Sequence, residues 1–116
     1  MTISPLSPTT DPATWTMSVT EDLVLPFDVT GDLVQFQTPT SPTAILYDIE
    51  KDVVVTLAHA PVVTGPDANS HYFIDQRVSG PAGDLPHPGN YRLTITFTAF
   101  PSTNVWAMEL TVIAIP

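Results

Sequence analysis

The chain of 116 residues has no cysteine, only three basic residues and only five glycines. Without cysteine, neither a disulfide nor a thiolate metal site braces the fold, and the redox compartment leaves no mark. Lys51, Arg77 and Arg92 stand against twelve acidic residues, for a net charge of −9. Such a chain repels phosphate backbones, which argues against nucleic acid and anionic membrane as partners. No stretch approaches the ~20 apolar residues of a membrane span. The opening MTISPLSPTTDP has neither the basic start nor the apolar run of a secretory signal. The expectation is a soluble protein made in a cytoplasm, with no secretion signal. Long helices are excluded as well, because thirteen prolines divide the chain into short segments.

What is present suits strands. Hydrophobic residues make up 43% of the sequence, too many for a disordered chain. A single domain of this length buries roughly two-thirds of its unfolded surface. The clearest pattern is LPHPGNYRLTITFTA, residues 85–99. Tyr91, Leu93, Ile95 and Phe97 alternate there with Arg92, Thr94, Thr96 and Thr98, the period of a strand with one apolar and one wet face. Pro86, Pro88 and Gly89 set a tight turn in front of it. A tyrosine just after such a turn suits a tyrosine corner, its ring covering the core edge and its hydroxyl bonding back to the preceding loop.

Taken in order, residues 1–12 read as an extended Pro/Ser/Thr-rich arm, with Ile3 and Leu6 its large apolar residues besides Met1. It is either a frayed terminus or an arm that docks on a neighbouring subunit, with Ile3 and Leu6 as anchors. Residues 13–116 then form one domain. Trp15, Met17 and Val19 alternate with polar residues as a first strand, and residues 23–27 continue in the other sheet, Pro26 marking an edge. Further strands are expected at 33–37, 43–49, 53–58, 72–78 and 105–115, with stiff or turning loops at 38–42 and 61–70 between them. Seven or eight short strands spaced by turn chemistry specify an all-β fold, an immunoglobulin-like antiparallel β-sandwich, with a jelly roll as the alternative. Tyr91, Leu93, Ile95, Phe97, Trp106, Leu110 and Val112 are its expected core.

Chemistry is harder to find. His59, His71 and His87 fall in loops or at strand ends, and no serine sits in a G-x-S-x-G elbow. No catalytic residue, cofactor site or metal site is assigned. Asp48, Glu50 and Asp52 alternate, so as a strand they would hold three carboxylates on one face about 7 Å apart. Lys51 lies among them and the spacing is not that of a calcium loop, so a solvated hairpin tip is the expectation. Trp15 and Trp106 lie on apolar stripes with Met17 and Met108, which places them in or beside the core. Phe73 shares its side with Asp75 and Arg77 and is the aromatic ring expected to face outward, as a partner contact.

The succession TPTSPTAILYD, FIDQRVSG, LPHPGNYRLTITFTA and VWAMELTVIAIP resembles the small immunoglobulin-like virion proteins of tailed bacteriophages. The likeness spans residues 33–116 in spacing and residue type and transfers no site residue. It implies a non-enzymatic accessory subunit of the capsid, neck or tail, present in many copies and located in the virion. Its partners would be other virion proteins or copies of itself. A carbohydrate- or cell-surface-binding adhesion module of the same fold is the alternative.

Overall fold

The computed structural model describes residues 13–28, 38–66, 68, 71–99 and 105–116. They form eight strands and no helix: β1 (Ala13–Ser18), β2 (Asp22–Asp28), β3 (Pro39–Asp48), β4 (Val53–Val55), β5 (Val62–Thr64), β6 (Phe73–Ser79), β7 (Gly89–Ala99) and β8 (Val105–Ile115). A five-stranded sheet in the order β1-β8-β7-β3-β4 packs on a three-stranded sheet in the order β2-β6-β5. In immunoglobulin lettering β2, β6 and β5 are strands B, E and D, while β8, β7, β3 and β4 are G, F, C and C′. The sandwich is all-β, and every pairing but one is antiparallel: β1 runs parallel to β8, with Trp15 beside Val112. Parallel pairing lets the first strand join the larger sheet without a hairpin to its neighbour.

β7 is the central strand, with its side chains in register with both neighbours. Leu93 lies between Leu46 and Leu110, and Ile95 between Ala44 and Met108. Tyr91, Leu93, Ile95, Leu110 and Val112 are wholly buried and Phe97 is 1% exposed, as their alternation requires. Across from them Leu25, Phe27, Ile74 and Val78 project from β2 and β6. Burying a side chain of this kind contributes about 1.5–3 kcal/mol. Trp106 departs from the expected core: near the start of β8 it is half-buried and packs against the core margin, as Trp15 does. Pro26 lies in β2, an outer strand of its sheet, where a missing N–H leaves no ladder bond unmade.

Three boundaries differ from the sequence pattern. Strand β4 ends at Val55 rather than continuing to Ala58. The segment 61–70, expected as a loop, contains β5, too short at three residues to show a period. The segment 38–42, expected as a stiff loop, is mostly part of β3, because a bulge between Thr40 and Thr43, with Ser41 at φ 51°, admits the extra residues without ending the strand. The strand expected at 33–37 and the arm at 1–12, with Ile3 and Leu6, lie outside the described residues.

The connection from β6 to β7 crosses between the sheets and is held by a buried carboxylate. Asp84 is wholly buried. Its Oδ2 accepts the Ser79 N–H at 2.7 Å, and its Oδ1 accepts the Ala58 N–H at 2.9 Å. The Ser79 carbonyl in turn accepts the N–H groups of Ala82 and Asp84. Asp84→Ala removes the acceptor from two backbone donors at once, and orphaned donors cost about 1–3 kcal/mol each. Urea unfolding of this variant is expected to show a loss of about 2–4 kcal/mol, with Asp84→Asn losing less.

Candidate functional site

The same end of the sandwich gathers a tight cluster of polar side chains. Alternation along β3 turns Leu46 and Asp48 inward, so Asp48, its last residue, is only 1% exposed. A buried carboxylate is tolerated only when its oxygens are occupied. Asp48 Oδ1 accepts the N–H groups of Glu50 and Lys51, both at 3.1 Å, which builds the turn into β4. Its Oδ2 accepts Nε2 of His87 at 2.5 Å. The other ring nitrogen, Nδ1, donates to the Pro88 carbonyl at 2.6 Å, with the Glu50 carboxylate 4.0 Å away. Acceptors at both nitrogens favour the imidazolium, which donates from each. The bond to the Pro88 carbonyl, and then that to Asp48, hold the His87 pKa above its ordinary value. Burial pushes Asp48 up, but the bonds from His87 and from the backbone of Lys51 and Glu50 outweigh it and leave its pKa below the usual carboxylate range.

Tyr91 completes the cluster as the expected tyrosine corner. Its hydroxyl donates to the His87 carbonyl at 2.6 Å and accepts the His87 N–H at 3.3 Å. The two rings lie 5.5 Å apart. Burial raises the pKa of the phenol. Gly89, at φ 147°, leaves room where a Cβ would come within 2.7 Å of the Glu50 carboxylate. The expectation of a solvated hairpin tip is therefore corrected for Asp48. The three carboxylates do not share one face, because residues 49–52 form a turn with Asp52 at φ 55°. His87 is likewise more than a loop residue, since both its ring nitrogens are engaged. A histidine so occupied clasps the β3–β4 turn to the β6–β7 connection.

The remaining candidates are surfaces. On the outer face of the larger sheet, register aligns Thr14 and Thr16 of β1, Thr111 of β8, Thr94, Thr96 and Thr98 of β7, and Thr40 and Thr43 of β3. The hydroxyls of Thr43 and Thr96 bond across strands, and those of Thr40 and Thr98 do so at 2.6 Å. Ile45, Tyr47, Val54 and Val105 share this face, and among the described residues Arg92 and Glu109 are its only charges. Val54 is 65% exposed and Val105 71%. A groove of about 600 Å³ opens along the β4 edge, with Pro42, Ile45, Val54, Leu57, Ala60 and Pro61 in its walls.

On the smaller sheet, Phe73 shares the outer face with Asp75 and Arg77 and is half-buried. A shallow hollow of about 610 Å³ beside these two charged residues is walled by Val24, Val62 and His59. Both charged side chains already have hydrogen-bond partners. Arg77 donates to both oxygens of Asp22, at 2.8 and 2.5 Å, and Asp75 accepts the Thr64 hydroxyl at 3.2 Å. No family model and no curated protein matches this sequence.

The clasp sets the pH response of stability. Because folding raises the pKa of His87, its contribution is complete below the unfolded value of 6.5 and is lost as pH rises through the folded value. Folding lowers the pKa of Asp48, so its contribution is present above 3.8 and is lost as pH falls through the folded value. The stability difference between the native chain and a His87→Gln variant is expected to be greatest between these limits and to shrink on the alkaline side. Thermal melts from pH 3 to pH 9 check this, and a difference that stays constant above pH 6.5 contradicts it. Tyr91→Phe removes one hydroxyl and its two bonds, and chemical denaturation is expected to show a loss of about 1 kcal/mol.

Proposed function

We propose that this chain is a non-enzymatic structural subunit of a larger assembly, a virion accessory protein of a tailed bacteriophage that binds through its outer sheet face. One observation carries the reading. The chain has fifteen charged residues in 116, yet the outer face of its largest sheet bears two of them among the described residues. Depletion of charge marks the core of an interface, and exposed Ile45, Val54 and Val105 accompany it here. A five-stranded face covered by threonine is also rigid, because β-branched side chains lose little freedom on contact. The clasp supports the non-enzymatic reading, since both partners of its histidine are acceptors and neither is a nucleophile. The virion assignment adds the resemblance in strand spacing to this physical argument.

The test is quantitative mass spectrometry of virions purified from the cells that make the protein. Many copies per particle are expected. A Thr94→Glu/Thr111→Glu variant, with two charges added to the face, is expected to melt within a few degrees of the native chain yet be depleted from particles. Absence of the native chain from intact particles, or full incorporation of the variant, overturns the proposal.

A further inference from the structure

The two charges on the outer face of the larger sheet, Arg92 and Glu109, are opposite in sign. Register sets Arg92 beside Thr111 and Glu109 beside Thr94, so they stand on a diagonal between β7 and β8. Diagonal neighbours of this kind lie about 7–8 Å apart, within reach of long side chains. Yet neither forms an ion pair or a side-chain hydrogen bond with any described residue. Arg77, by contrast, is held by both oxygens of Asp22. One of three basic residues in the chain therefore sits unpaired on the central strand, next to an unpaired acid.

We propose that this face is a two-fold interface between two copies of the chain, with Arg92 of each copy set against Glu109 of the other. The proposal rests on reading the face as the chain's binding surface and names the partner there. In a two-fold interface, residue i of one copy meets residue j of the other, and j meets i. An axis midway between Arg92 and Glu109, in the plane of contact, lays each over its opposite and makes two ion pairs. Two charges of one sign at these positions would repel across the same axis.

The rest of the face agrees. Its strands, of 6, 11, 11, 10 and 3 residues, at about 3.3 Å per residue and about 4.8 Å between strands, offer about 650 Å² per copy. Two such faces clear the roughly 1,000 Å² that a specific interface needs. Across the sheet Arg92 is followed by Tyr47 and then Val54, and Glu109 by Thr94 and then Ile45. Val54 and Ile45 are exposed, so closure takes apolar surface out of water around both charged pairs. Arg92 and Glu109 cancel, and the described face is neutral in a chain of net charge −9. Repulsion between acidic groups elsewhere on the two copies is screened beyond about 8 Å at physiological salt.

Sedimentation equilibrium of the full chain over a range of concentrations at physiological salt tests this, and a dimer is expected. Arg92→Glu and Glu109→Arg are each expected to weaken it about a hundredfold, because each dimer then juxtaposes like charges at two places. Circular dichroism of each variant checks that it is folded. Mixing the two variants in equal amounts is expected to restore the dimer, since every contact between unlike copies again joins an acid to a base. The double variant R92E/E109R is expected to dimerise as the native chain does. A native chain that stays monomeric overturns the proposal. So does a dimer that survives both single substitutions, or one that neither mixing nor the double variant restores. Virions that contain the protein when the purified chain is monomeric leave the proposed function standing and remove this contact. A dimer with these properties from a chain absent from virions does the reverse.

Discussion

The interaction on which this structure depends is the partnering of buried carboxylates and backbone groups at one end of the sandwich. The β6–β7 connection carries the chain from one sheet to the other and buries Asp84 and Leu85 on the way. Asp84 answers for the N–H groups of Ser79 and Ala58. Tyr91 answers for both the N–H and the carbonyl of His87. Asp48 then ties His87 to the turn that begins β4. Carboxylates and a phenol thereby do at one end of the sandwich what disulfides do in many domains of this size, in a chain that has no cysteine. Removing one member leaves the others buried without partners, so the cluster acts as a unit.

That clasp also divides the molecule by chemistry. Ionised groups that do structural work lie at the sheet end or on the smaller sheet, where Arg77 is paired with Asp22. The outer face of the larger sheet is left to threonine, valine, isoleucine and tyrosine. Strands exposed in this way risk uncontrolled pairing. The net charge of −9 opposes it by keeping whole copies apart, while a face of low charge still admits a suitable partner.

The proposed role follows from this division and not from the fold, because immunoglobulin-like sandwiches serve many functions. Rigidity suits a subunit that must present the same surface in every copy. In that arrangement affinity comes from several modest contacts repeated over a lattice, each of which would be weak alone.

Much of the fold was legible because it depends on local periodicity. The alternation through Tyr91, Leu93, Ile95 and Phe97 identifies the central strand and its buried face, and the Pro-His-Pro-Gly turn before it identifies the corner. Trp106 lies at the core margin because period tells facing and not depth, and inward facing near a sheet end still leaves a ring partly exposed. β5 escaped notice because three residues carry no period, and the bulge at Ser41 escaped because two prolines and a serine look like a loop. Asp48 was the largest misreading. Strand alternation put it on the same side as Leu46, yet a carboxylate among Glu50, Lys51 and Asp52 reads as solvent-exposed. Its burial rests on His87, 39 residues away in sequence, which supplies a donor beside the backbone N–H groups of Glu50 and Lys51. The sequence by itself determined the longer strands, their inward faces and the tyrosine corner, since each follows from neighbours along the chain. The parallel docking of β1 and the pairing of Asp48 with His87 were decided by tertiary structure, because each depends on which distant segments meet.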